Sequence, residues 1–199
     1  MARDHARIRV DIWAKDDWKL LTITQQLVYL ALTTSPDLSY CGVLPLIPTR
    51  YVDLNTDMTE RRFTSAISVL ELRKYVVTDT ASAELLVRSY IRHDGILKQP
   101  NVTKAMVTAL KRVHSRKITR AIEAEIVRLM LDEPDAKGWR GFADVDPEGF
   151  TELMTKAHRK GSGKGSPKGS GNPKATPFPL SPFPNYSSSS PTYREGGRR

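Results

Sequence analysis

The spacing of apolar residues changes several times along the chain, and each change predicts an element. "ARIRVDIW", Ala6 to Trp13, alternates charge with Ile8, Val10 and Ile12, the period of a half-buried edge strand. In "LTITQQLVYLALTTSP", Ile23, Leu27, Leu30 and Ala31 share a helical stripe, Thr22 caps it, Gln25 sits at the capping-box position and Pro36 stops it. A short strand at Val43 to Leu46 and a short helix from Pro48, carrying Tyr51, Val52 and Leu54, come next. Phe63, Ala66, Ile67 and Leu70 recur at i, i+3, i+4 and i+7, which predicts a core-facing helix from Met58 to Lys74, opened by Asp57 with Glu60. "YVVTD" and "ELLVRSYIRH" are β-rich runs joined by "TASA" and predict a hairpin.

Beyond the hairpin, Val102, Ala105, Met106, Ala109, Leu110 and Val113 form one stripe behind Asn101 as cap. Ile118, Ala121, Ile122, Ile126 and Leu129 form another. Periodicity leaves open whether these helices pack on the preceding elements or pair with a second subunit as a homo-oligomer. "PDAKGWRGFADVDPEGF" reads as a turn-rich stretch in which Trp139 and Phe142 dock locally, followed by one short helix in "PEGFTELMTKAHRK". From Gly161 the chain is Gly, Ser, Pro and Lys with isolated aromatics, too little apolar surface to offset ordering entropy, and a disordered tail is expected. The expected class is mainly α with a small β-sheet (α+β), organised as residues 1–97, a basic helical extension 98–133, a turn-rich segment 134–160 and a tail 161–199.

Charge sharpens this picture. The chain of 199 residues carries a formal charge of +9. From Gly95 to Ile122 there is no acidic residue, while Lys98, Lys104, Lys111, Arg112, Arg116, Lys117 and Arg120 supply seven cations. A one-sign run attracts polyanions, nucleic acid first among them, and the modest apolar exposure of the flanking helices argues against a membrane surface. With the single cysteine Cys41 and without an apolar leader or span, a cytosolic chain is expected. Four scattered histidines and the lack of CxxC or HExxH predict no metal site and no cofactor.

Motifs that suggest other chemistry fail on context. "GSGKGS" lacks the hydroxyl residue after its lysine and the upstream glycine of a phosphate loop, and reads as a basic linker. "PFPLSPFP" has polyproline spacing, which a partner's aromatic groove can read, though a plain linker accounts for it. The carboxylate pairs Asp16/Asp17 and Asp144/Asp146 sit in polar turns without a histidine nearby, and no catalysis is expected. His93, beside Asp94 and Gly95, reads as a turn residue at the hairpin exit.

The order strand, helix, strand, helix, helix, hairpin is that of a winged helix-turn-helix, whose third helix enters the DNA major groove. The stretches "ARIRVDIW", "LTITQQLVYLALTTSP", "GVLPL", the helix from Met58 and "LLVRSYIRHDGILKQPNVTKAM" resemble the N-terminal winged-helix domain of phage and prophage replication proteins of the replisome-organiser or initiator type. Trp13, Thr34 to Pro36, Gly42 and His93 stand at that family's characteristic places, and "TASA" and "DGILK" depart from its pattern. The resemblance implies double-stranded DNA binding in replication initiation or helicase loading, with a replicative helicase or its loader as partner. Related domains regulate transcription, and an interaction module without DNA is the reading from another class.

On this basis Arg61, Arg62, Ser65 and Ser68 are expected at base edges or nearby phosphates, and Arg50 with Tyr51 at the backbone. Arg88 and Arg92 from the hairpin, with Lys98, Lys104, Lys111, Arg112, Arg116 and Lys117, are expected on phosphates.

Overall fold

The computed structural model of the protein describes residues 6–162. A 3-10 turn at Val10–Ala14 leads into α1 (Asp16–Lys19), α2 (Ile23–Thr34) and strand β1 (Val43–Pro45). A second 3-10 turn, Pro48–Leu54, precedes α3 (Glu60–Leu72) and the hairpin of β2 (Val76–Asp79) and β3 (Glu84–Val87). The remainder is helical: α4 (Tyr90–His93), a 3-10 turn at Ile96–Lys98, α5 (Pro100–Leu110), α6 (Arg116–Asp132), α7 (Gly138–Val145) and α8 (Pro147–Ser162). The class is therefore α+β, mostly helix with one three-stranded antiparallel sheet in the order β1-β3-β2.

The N-terminal alternation does not make a strand. Val10 is 87% exposed and only Ile12 of the three apolar positions is buried; the backbone turns instead, with Ile12 N–H donating to Arg9 O and Lys15 N–H to Ile12 O. The α2 capping box forms as its sequence predicts, with Thr22 Oγ1 accepting from Gln25 N–H and Gln25 Oε1 accepting from Thr22 N–H. Its buried face, however, is Val28, Tyr29 and Leu32, and Ile23 is 84% exposed. Tyr29 sets this rotation: its ring packs edge-on against Trp18 and Tyr75 at 5.5 and 5.2 Å, and its hydroxyl meets Ser89 Oγ at 2.7 Å.

The stripe Phe63, Ala66, Ile67 and Leu70 of α3 is buried in full. Thr59, and not Asp57, is the cap; its hydroxyl accepts from Arg62 N–H. Asp57 is engaged one turn earlier, its N–H donating to Asn55 Oδ1. At the other end, Tyr75 N–H reaches Leu70 O and Lys74 N–H reaches Glu71 O, the paired bonds of a Schellman stop. That stop requires a left-handed residue, and Lys74 supplies it with φ 64° where glycine is usual. The strain is on the order of 1 kcal/mol.

The hairpin forms with Val76 opposite Val87 and Asp79 opposite Glu84, but β3 ends at Val87. Adjacent Tyr90 and Ile91 are both buried, a helical and not an alternating pattern, which makes "YIRH" the short α4. The segment expected to be turn-rich is α7 and α8. Its glycines are packing surfaces: a Cβ on Gly141 would lie 2.1 Å from Pro100 O, and one on Gly138 would lie 2.7 Å from Leu97 Cα, so α7 rests directly on the start of α5. Trp139 Nε1 donates to Glu133 O, and Phe142 packs edge-on against Phe150 of α8.

One hydrophobic cluster runs from Ile12 to Ala157, so α5 and α6 pack on the preceding elements of their own chain. Helix α8 extends through Gly161 and Ser162; the expected tail beyond them, with the "PFPLSPFP" motif, lies outside the described residues.

Candidate nucleic-acid interface

Helix α3 turns Arg61, Ser65, Ser68 and Leu72 to solvent along one stripe. Arg61 and Ser65 have no side-chain partner among the described residues. Arg62 donates to Asp57 O at 2.7 Å, and Ser68 donates to Thr64 O at 3.1 Å, leaving only its oxygen lone pairs outward. Tyr51 does not face outward at all. It is 8% exposed and its ring stacks on Phe63 at 4.4 Å with planes 6° apart, so it is a core residue in place of a backbone contact. Its neighbour Arg50 is at the surface, paired with Asp37 at 2.6 Å.

The hairpin carries no cation. Residues 76–87 hold Asp79 and Glu84 and neither lysine nor arginine. Arg88 follows β3 at the root, not the tip, and Arg92 lies in α4 paired with Glu125. The hairpin acids instead hold α6. Glu84 accepts from the N–H groups of His114 (3.0 Å) and Ser115 (2.7 Å), and Asp79 accepts from Ser115 Oγ. These carboxylates sit at the positive end of the α6 dipole. Glu71 of α3 completes the clamp, accepting from Thr78 N–H and from Lys117 Nζ at 2.9 Å.

Burial pushes the Glu84 carboxyl up, but the N–H donors of His114 and Ser115 outweigh it and hold the group below its ordinary value. Glu71 behaves likewise, with Thr78 and Lys117 overcoming burial. A carboxyl lowered in the folded state stabilises fully above its unfolded value of 4.5 and loses that contribution as pH falls through the folded value. Glu84→Gln is therefore expected to lower stability at pH 7 by about 1 to 2 kcal/mol and to flatten the loss of stability below about pH 4.5, read by urea melts across pH.

The acid-free run is matched by acids from elsewhere. Lys104 pairs with Asp144 at 2.9 Å, Lys111 donates to Val145 O and lies 3.9 Å from Asp146, and Lys117 is in the clamp. The exposed Lys98, Arg112, Arg116 and Arg120 are left without a carboxylate partner among the described residues.

A groove of about 770 Å³, which no sequence motif marks, opens at the root of the hairpin. Eight cations and four carboxylates line it, contributed by the N-terminal segment, the end of α3, the β3–α4 junction and α6. His93 lies in its wall, its imidazole pushed down by burial and then by Arg92, Arg9 and Lys15. The repeated cations of "ARIR" and the adjacent Arg73 and Lys74 are its sequence signal, but they converge only through the fold.

Among the described residues no group of His, Cys, Asp or Glu could hold a metal ion, and no helix is long and apolar enough to cross a membrane. Compared with known proteins, the chain matches no family model, no curated protein and no solved structure.

Proposed function

We propose that the protein binds double-stranded DNA through the outer stripe of α3, as a winged-helix module. One observation carries this reading: α3 is followed at once by a hairpin in a sheet of order β1-β3-β2, while its face opposite the core presents Arg61 and Ser65 without competing acids. An exposed helix of this kind fits a major groove, where arginine reads guanine edges and hydroxyls read either partner. Lys98, Arg112, Arg116 and Arg120 add phosphate attraction. The resemblance to phage replication proteins assigns the module to replication initiation or helicase loading; a transcription role is distinguished by whether the preferred duplex lies at an origin or a promoter.

The test uses a duplex selected from a random library and an unselected duplex of equal length. Arg61→Ala with Ser65→Ala is expected to weaken the selected duplex by about 1 to 3 kcal/mol per lost base contact and to leave the unselected one nearly unchanged. Equal loss on both would show that α3 reads no sequence. A second reading, a protein-contact face for a helicase or its loader, is favoured by Leu72, which is 81% exposed on the same stripe. In that case Leu72→Ser abolishes partner binding and spares DNA.

A further inference from the structure

The groove at the hairpin root carries a charge pattern separate from the α3 stripe. Its cations fall into two sets. Arg7 donates to the Asp94 carbonyl oxygen, and Arg9, Arg92 and Arg128 are matched by Asp11, Glu125 and Asp132. Lys15, Arg73, Lys74 and Arg88 are exposed and have no carboxylate partner among the described residues. Of the lining acids, Glu125 is held by Arg92 and Asp16 by Lys19, leaving Asp17 and Asp94 to offset those four.

Two features make this more than a basic surface. Lys74 occupies the left-handed stop of α3 at φ 64°, a position where glycine would relieve strain, and its side chain lines the groove. Retained strain at a lining cation is what a binding role would maintain. Beside it, the half-buried Tyr75 is braced by Trp18 and Tyr29 at 6.1 and 5.2 Å, a fixed aromatic surface among the cations.

Phosphate-binding cations interleaved with a rigid aromatic ring are the composition of single-strand sites, where charges follow the backbone and a base stacks. The volume of about 770 Å³ exceeds what one phosphate needs and leaves the ligand room to extend. We infer that this groove holds a single DNA strand, its phosphates on Lys15, Arg73, Lys74 and Arg88 and a base on Tyr75. At 1.5 Å of rise per residue, Leu72 at the end of α3 lies about 17 Å along the axis from Arg61 and Lys74 follows it, so strand and duplex occupy different ends of the helix. The site extends the nucleic-acid reading above and shares with it only Arg88, which the sequence places among the duplex-phosphate contacts.

The full chain is titrated with a labelled oligothymidine of about ten nucleotides, with thymidine monophosphate as competitor, and with the selected duplex. Lys74→Gly combined with Arg73→Gln is expected to weaken the oligothymidine about tenfold and to flatten its slope of log affinity against log salt by about 1.4, two phosphate contacts at about 0.7 each. Duplex affinity stays unchanged, and Lys74→Gly alone raises the thermal midpoint, which excludes misfolding as the cause. Arg61→Ala with Ser65→Ala gives the reverse pattern, losing the selected duplex and keeping the strand, so failure of one reading does not imply failure of the other. The inference is overturned if the double variant leaves oligothymidine affinity intact, if it weakens strand and duplex alike, or if thymidine monophosphate competes as well as the oligomer per nucleotide, which would mark a small-ligand pocket.

Discussion

Gly141→Ala is expected to destabilise the protein by about 3 kcal/mol or more, the upper end of what overpacking does, because the new methyl meets backbone and not a movable side chain. Its Cβ would lie 2.1 Å from Pro100 O and 2.7 Å from Pro100 C, with α5 fixed at that point by the proline. Neither helix can yield locally: Gly138, one turn earlier, is in the same contact with Leu97 and Thr103. Gly149→Ala is the control. There the methyl meets the Asp146 carboxylate at 2.5 Å, a side-chain end whose shift costs its bond from Gly149 N–H, about 1 kcal/mol, partly offset because alanine suits a helix better than glycine. A urea midpoint for Gly141→Ala as mild as that of Gly149→Ala would show that α7 is not seated on α5.

Phe63→Ala is expected to remove about 3 to 5 kcal/mol and roughly 10 °C from the thermal midpoint. Phe63 is fully buried in α3 and stacked on Tyr51, so truncation leaves a cavity between α3 and the 3-10 turn that precedes it. Tyr51→Phe keeps the stack and is expected to stay within about 1 kcal/mol of the parent. If Tyr51 were instead a DNA contact, Tyr51→Phe would weaken duplex binding at unchanged stability. Calorimetry beside a duplex titration of both variants separates the two.

What the sequence revealed depended on whether the signal was local. The α3 stripe was legible because Phe63, Ala66, Ile67 and Leu70 repeat at helical spacing and a helix has no other way to bury them. The cap at Thr22 was legible because a cap acts within three residues, and Ser115, the cap of α6, satisfies the same rule without having been read from the sequence. Tyr51 was misplaced because nothing near it in the chain announces Phe63 as a stacking partner. The charge run from Gly95 to Ile122 looked unopposed in one dimension, yet Asp144, Asp146 and Glu71 meet Lys104, Lys111 and Lys117 from 35 to 46 positions away. Gly138 and Gly141 read as turn residues since close helix contact and chain reversal both call for a missing side chain. Of the candidate site, Arg61 and Ser65 came from local pattern, while the groove escaped because four separated segments supply its walls.

The clamp between hairpin and α6 also orders events in time. Glu71, Asp79 and Glu84 are all synthesised before Ser115 and Lys117, so the emerging chain first presents three carboxylates, from α3, β2 and β3, without the lysine and the α6 N–H groups that hold them in the finished fold. At about 5 to 20 residues per second, α6 is complete only some 2 to 9 seconds after β3. Charge beside an open strand edge disfavours pairing with another chain, so the carboxylates that hold α6 in the finished fold are of the kind that guards the β2 edge until α6 arrives.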